Sequence, residues 1–267
     1  MRATGFRLPS CMLECAVRGC RQSLARDERR LICPRGHSFD IARSGYLNLL
    51  QPQDRRSKRP GDTPAAVKAR RRLFDRGIYK PLLGAIGEIL DARPADSILD
   101  AGCGNGDYLG TLARDFGFDA HGIDISVPAI EAAARRYPKC EWVVGNADRF
   151  IPYSDGSFSA VMSITARRNT SEFRRVLHRD GRLLVAIPAP DDLIELRGAG
   201  RDRVSSTIEG FRSDFALVEQ RRATTTADLE AEAVDDVLHS IYRPVRSMPV
   251  QAMRLTFSLD LLLFRSS

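Results

Sequence analysis

The chain has 267 residues, 43% hydrophobic and 28% charged, which is ordinary globular usage with enough apolar sequence for a substantial core. Its net charge of +7 is unevenly spread: residues 1–72 hold 17 Lys/Arg against 6 Asp/Glu, a net of +11, and the remainder a net of −4. Four of the six cysteines lie in the first 33 residues and two far downstream, which does not suit a secreted disulfide scaffold. No apolar run approaches the ~20 residues that span a bilayer, and "MRATGFRLPSCML" has no apolar core of signal-peptide length, so a soluble cytoplasmic protein with no membrane partner is expected.

The first chain segment, "CAVRGCRQSLARDERRLICPRGHSFD", places Cys15, Cys20, Cys33 and His37 within 23 residues. Zinc favours four tetrahedral N/S ligands supplied as two pairs on separate turns. Cys33 and His37 in "CPRGH" form one pair, and Cys15 with Cys20 the other. The 12-residue spacer "RQSLARDERRLI" is long enough to form a small hairpin that returns the chain to the metal. Reduced, buried cysteines are the plain alternative, but little apolar sequence lies beside them to bury against. Cys11 is a spare that can stand in for Cys15. Such a zinc would be structural, because no open coordination position is evident.

Residues 51–64, "QPQDRRSKRPGDTP", read as a basic, proline-bearing linker. With "KARRR" at 68–72 they form clustered positive charge, either a solvated face or a contact for a polyanion. Helical spacing follows, with apolar Val67, Leu73, Phe74, Leu82, Leu83, Ile86, Ile89 and Leu90; it predicts two helices parted near Gly77.

From residue 96 short apolar runs alternate with helical patterns. "SILDAGCG", "DAHGIDIS", "CEWVVGNAD", "FSAVMSIT" and "RLLVAIP" read as strands; "DYLGTLARDFG", "VPAIEAAARRYP" and "SEFRRVLHRDG", the last stopped by Gly181, read as helices. This alternation predicts a mostly parallel, doubly wound sheet. "RLTFSLDLLLF" adds a late strand that closes a hairpin.

"LDAGCGNGDY" runs from a strand into a helix through Gly102, Gly104, Asn105 and Gly106. Alone, a glycine loop is weak evidence. Three features direct it to S-adenosylmethionine (SAM). Asp100 precedes the glycines. Asp124, followed by Ile125, ends the next strand 22 residues after Gly102, where a carboxylate can accept both ribose hydroxyls. Asn146, Ala147 and Asp148 end the third strand, where a carboxylate can meet the adenine amine. No lysine of a nucleotide-triphosphatase loop follows. A nicotinamide-binding or inactive fold is the competing reading.

Taken together, these blocks make the chain resemble the bacterial 23S rRNA (guanine-N1)-methyltransferases of the RlmA type, over nearly its whole length. The resemblance rests on the Cys20, Cys33 and His37 spacings, "SFDIARSGYLNLL", "PGDTPAAVKARRRLFDRGIYKPL", "LDAGCGNGDY", "GIDIS" with "AIEAAARRYP", and "EFRRVLHRDGRLLVAIP". It implies an α/β protein: a small N-terminal zinc-binding, RNA-contacting module (1–50), the basic linker (51–64) and a Rossmann-like class I SAM-dependent methyltransferase domain (65–267). It also implies that Tyr79 lies over the cofactor, and that a 23S rRNA hairpin is the partner. Four departures stand out. Cys15 and Cys20 are C-x4-C where the family has C-x2-C. An A-P motif is here Ala166-Arg167. A cofactor-side histidine is here Asp192. The base-entry M-T-P motif is replaced by "LHSIYRPVR" at 238–246.

Guanine N1 carries a proton at neutral pH, so its methylation needs a proton acceptor or a stabiliser of charge on O6. Candidates on the cofactor-facing side are Asp192 as proton acceptor, Arg167 to steady charge developing on O6, and Asn169. The departures leave a second reading open, a small-molecule methyltransferase on the same scaffold, and a third, a noncatalytic RNA-binding protein. The intact loop, Asp124 and Asp148 argue against the third. A homodimer in which two zinc modules clamp one hairpin is compatible with the sequence.

Overall fold

The computed structural model describes residues 13–54, 61–241 and 250–266. The chain begins with three short antiparallel strands, β1 (Ala25–Asp27), β2 (Arg30–Ile32) and β3 (Ser38–Asp40). β1 and β2 form the hairpin expected of the 12-residue spacer, turning at Glu28 in the left-handed region (φ +52°). β4 (Leu47–Asn48) then leaves this small sheet and pairs in parallel with a strand of the large one.

A 3-10 turn at Pro52–Asp54 follows. α1 (Pro64–Asp75) starts where Thr63 accepts a hydrogen bond from the Ala66 amide and Pro64 fixes the first turn. α2 (Lys80–Leu90) follows Gly77, whose φ of +76° breaks the helical run as the sequence predicts. The α/β unit then runs β5 (Ser97–Ala101), α3 (Asp107–Phe116), β6 (Asp119–Asp124), α4 (Val127–Arg136), β7 (Glu141–Val144), β8 (Phe158–Ile164), α5 (Thr170–Val176) and β9 (Leu177–Pro188). It ends with α6 (Ile194–Arg197), α7 (Val204–Phe211), β10 (Phe215–Leu229), α8 (Ala231–Ser240) and β11 (Met253–Ser266).

The large sheet has eight strands in the order β10-β11-β9-β8-β5-β6-β7-β4. β4 through β9 run parallel, and β11 and β10 are antiparallel. The order reverses at β5, so the carboxyl ends of β5, β6 and β7 open onto a crevice where such sheets bind ligands. One face buries Leu73, Leu82, Ile86, Leu109, Ile130 and Trp142 under α1 to α4. The other buries Phe158, Phe173, Phe211 and Phe264. Among the described residues no helix is long and apolar enough to cross a membrane.

Three sequence expectations are revised. α5 stops at Val176 rather than Gly181, because Leu177 turns extended (ψ 143°), pairs with Phe158 and is buried. β10 is a 15-residue strand that its polar run "RRATTTAD" concealed; it pairs with β11 through α8 rather than a tight hairpin turn. The cysteines of the front segment do have apolar surroundings. Leu13, Leu31 and Leu47 share one core with Tyr153 and Phe158 of the large sheet's side, and Leu13 bridges directly to Tyr153.

Candidate functional site

Two sites emerge, beginning with the front segment. Gly19 (φ +73°) and Gly36 (φ +82°) turn the chain tightly beside each ligand pair. Backbone bonds fix the turns: Cys20 N–H donates to the Val17 carbonyl (2.9 Å) and Gly36 N–H to that of Cys33 (2.8 Å). The result brings the three thiols and the imidazole of Cys15, Cys20, Cys33 and His37 within 4.8 Å of one another. His37 Nδ1 lies 3.4 Å from both Cys15 Sγ and Cys33 Sγ, and Cys20 Sγ lies 3.8 Å from Cys33 Sγ.

Those spacings decide between a disulfide and a metal. A disulfide needs about 2.05 Å between sulfurs. Zinc bonds of about 2.3 Å to sulfur and about 2.0–2.1 Å to nitrogen place tetrahedral S···S edges near about 3.8 Å and S···N edges near about 3.6 Å. The four donors fit a structural zinc, with Cys15 as the fourth donor among the described residues. Cys11 lies outside the described residues.

The cofactor cleft is built on the carboxyl ends of β5, β6 and β7. Gly102 has φ +92°, and a Cβ on it would stand 2.4 Å from the Ala166 Cβ, so the loop must pass here without a side chain. Asp124 clasps the loop: Oδ2 accepts the Gly104 amide (2.9 Å) and Oδ1 the Ser126 amide (2.8 Å). Asn105 is buried and donates to Asp107 (2.8 Å). Gly106, in the left-handed region, opens α3 directly beneath the Trp142 ring. Asp100 is 2% exposed, and its Oδ1 has no hydrogen-bond partner among the described residues. Burial, reinforced by Asp124, pushes its pKa up to about 8, and burial raises that of Asp124 as well. An orphaned buried carboxylate beside a glycine loop suits a ligand that brings its own cation. SAM does so with its ammonium and sulfonium groups, and the residues fit it.

Ile125 stands half-buried after Asp124. Asn146, Ala147 and Asp148 follow β7 as a turn in which Asn146 Oδ1 accepts the Asp148 amide (3.1 Å). Asn146 also donates to the Asp54 carbonyl (3.0 Å), and Arg149 pairs with the Asp54 carboxylate, so the linker's start is docked over this edge. Tyr79 packs among Phe74, Tyr108 and Phe257, with ring centroids 5.4–6.4 Å away, and burial pushes its hydroxyl up to about 12. Its ring is an apolar wall here.

The three candidates for chemistry differ. Asp192 is half-buried; Oδ1 accepts the Ser258 amide (3.1 Å), Oδ2 lies 3.8 Å from Arg197, and burial raises its pKa, which suits a proton acceptor. Arg167 is exposed and reaches Asp148 at 3.5 Å. Asn169 is engaged on every side. Its oxygen caps α5, accepting from Glu172 N (3.3 Å) and Ser171 Oγ (2.9 Å), and its amide donates to the Asp148 carbonyl (2.8 Å). That makes it a brace for the 147–148 turn rather than a group free for catalysis. Residues 242–246, five of the nine in the altered "LHSIYRPVR" segment, lie outside the described residues. Sequence reasoning missed Arg70, Asp62 and Ser126, which ring the same loop. Their only signals were Ser126 standing as the cap of the helical pattern that follows it and Asp62 lying one residue before the cap Thr63.

Comparisons with known proteins bear on both sites. Residues 14–58 match the family model described as RlmA, N-terminal, a zinc ribbon, and residues 98–185 match that of a methyltransferase domain. The chain is 36% identical over 231 residues to the 23S rRNA (guanine(748)-N(1))-methyltransferase of Streptomyces fradiae, covering 82% of this chain and 81% of that one. It is also 36% identical over 244 residues to YxjB of Bacillus subtilis, whose provisional name is 23S rRNA (guanine-N(1)-)-methyltransferase, covering 84% and 83%. Among solved structures, a SAM-dependent methyltransferase of Thermotoga maritima is similar in fold, with a TM-score of 0.51 at 17% identity over 76% of this chain and 98% of that one.

Proposed function

The chain belongs to the RlmA-type family of SAM-dependent 23S rRNA (guanine-N1)-methyltransferases, and we propose that it methylates N1 of a guanine in a 23S rRNA hairpin. The observation that carries this reading is a likeness covering 82% of the chain, in which both the zinc ribbon and the methyltransferase domain are matched. A methyltransferase acting on a small molecule has no need of the ribbon.

Bound SAM supplies a methyl group on a sulfonium, open to in-line attack. The protein's work is to hold the pieces and manage one proton. Asp124 would meet the ribose hydroxyls, and Ile125 and the 146–148 turn would flank the adenine. Tyr79 and its aromatic neighbours would keep water from the reacting centre. Asp192, its carboxyl kept basic by burial, would take the proton from guanine N1. Arg167 would steady negative charge as it develops on O6. Asn169 would fix the turn that carries Asp148.

In the division of labour we propose, residues 1–50 would grip RNA, 51–64 would run between, and 65–267 would hold cofactor and base. Arginines of the ribbon would contact phosphates, which position the RNA without reading its sequence. The target guanine would have to leave its stack to reach the methyl group. This assigns the protein to the cytoplasm, with two copies on one hairpin as the assembly to test.

The deciding experiment is transfer of radiolabelled methyl from SAM to unmodified 23S rRNA, followed by nucleoside digestion. Label in 1-methylguanosine supports the proposal. No label from a protein that binds SAM overturns it and directs the search to small-molecule acceptors.

A further inference from the structure

Arg70 belongs to the cofactor cleft, yet the chemistry above gives it nothing to do. It projects from α1 and pairs through both terminal nitrogens with Asp62, one of the contacts being Nη2 to Oδ1 at 3.1 Å. Nη2 also donates to the Ser240 carbonyl at the end of α8 (2.9 Å). Nη1 faces the glycine loop, 3.6 Å from where a Cβ on Gly104 would stand, and is the one atom of the described residues within 4 Å of that point, chain neighbours aside.

These contacts close into a ring. The Asp62 carbonyl accepts from Ser126 Oγ (2.9 Å), and the Ser126 amide donates to Asp124 Oδ1 (2.8 Å). Asp124 Oδ2 accepts the Gly104 amide (2.9 Å), and Gly104 looks back at Arg70. Gly61 seats the turn that carries Asp62, because a Cβ there would stand 2.6 Å from the Ser126 Cβ. The guanidinium is therefore held over the loop by the Asp62 carboxylate and the Ser240 carbonyl, and the Ser126 hydroxyl braces the turn that carries Asp62.

Charge then matches ligand to protein. SAM carries two cationic groups and one anion, its α-carboxylate. Asp100 and Asp124 suit the ammonium and the ribose hydroxyls, while the anion needs a donor fork. The neighbouring Arg71 and Arg136 are turned to Asp107 instead (3.2 and 3.7 Å). We infer that Arg70 is the seat of the cofactor's α-carboxylate, and that Asp62 holds the guanidinium in position until SAM arrives. An arginine fork has edges enough to keep one bond to Asp62 or Ser240 while another turns to the ligand. This inference rests on the reading of the cleft as a SAM site.

The test is calorimetric binding of SAM and of decarboxylated SAM, which differ only in that carboxylate. The wild-type chain is expected to prefer SAM by about 10- to 100-fold, the range of a hydrogen bond to a charged partner. Arg70→Met is expected to bind both ligands alike, at about the wild-type affinity for the decarboxylated form. A preference that survives in Arg70→Met overturns the inference. Arg70→Lys keeps the charge without the fork and is expected to keep a reduced preference; an unreduced one overturns the two-bonded seat. It also serves if the methionine variant fails to fold. Asp62→Asn should bind SAM as tightly as wild type or more tightly, and a loss beyond threefold overturns the holding role. A wild-type chain that binds neither ligand overturns the cofactor reading itself. One that binds both equally overturns the carboxylate seat alone.

Discussion

The zinc cage and the cofactor cleft both gather side chains from separate turns, but they are finished to different degrees. In the cage, donors stand at 3.4 and 3.8 Å, near the edges of a metal-centred tetrahedron, and every corner is filled by protein. In the cleft, Asp100 Oδ1 is buried without a partner among the described residues, and Gly102 leaves no room for a side chain. A site completed by protein serves stability. A site left short of one charge is completed by its ligand, and the cost of that shortfall is met when the ligand binds.

The largest expected effect breaks the cage. Structural zinc in small modules contributes apparent free energies of about 10 kcal/mol or more. Cys33→Ser, or extraction by a strong chelator, should remove about one zinc per chain, unfold the ribbon and abolish RNA capture, with SAM affinity changed far less. Metal analysis, thermal melting and a filter-binding assay would check each part.

Next in size, Asp192→Asn should slow methyl transfer by about 100- to 10,000-fold, the span of general-base catalysis, with SAM affinity within about threefold of wild type. Single-turnover kinetics alongside calorimetry would separate the two. Gly102→Ala forces a Cβ against Ala166 in a backbone region hostile to side chains, so SAM affinity should fall by about 10- to 100-fold and melting should drop modestly.

The smallest effect sharpens the cleft's half of the contrast. In the free protein the Asp100 pKa of about 8 exceeds its unfolded value, so folding takes up a proton; the associated stability is full below about pH 4 and is lost as pH rises through about 8. A cationic ligand favours the ionised carboxylate. SAM affinity should therefore climb with pH, by up to about tenfold per unit below 8, and Asp100→Asn should flatten the slope. Calorimetry from pH 5.5 to 7.5 reads it directly.

Local spacing explains what could be read in advance. The C-x12-C-x3-H pattern spans a single hairpin and the glycine loop with Asp124 a single strand–helix–strand unit, so Cys20, Cys33 and His37 come together, Asp124 reaches the glycine loop, and both early helices form where the sequence predicts. Long-range contacts were hidden. Nothing near Arg70 in sequence announces Ser240, 170 residues later, nor does Asn169 announce that all its hydrogen bonds are spent on α5 and the 148 turn. β10 failed for another reason: an edge strand with one face in water need not be apolar. The helix extended to Gly181 on paper because nothing local reveals that Leu177 is claimed by Phe158.

β4 is two residues long, yet it determines what the molecule would be without its front segment. Leu47 and Asn48 lie along β7, and the Leu49 amide donates to the Val144 carbonyl (2.9 Å). At the opposite margin β10 protects itself with charged side chains and an irregularity between Leu217 and Glu219. β7, "EWVV", has no such defence and would present a bare, sticky margin to other chains once β4 is removed. The ribbon thus doubles as a selvedge for the sheet. Cutting it away to obtain a smaller enzyme is expected to yield precipitate rather than a soluble catalytic half.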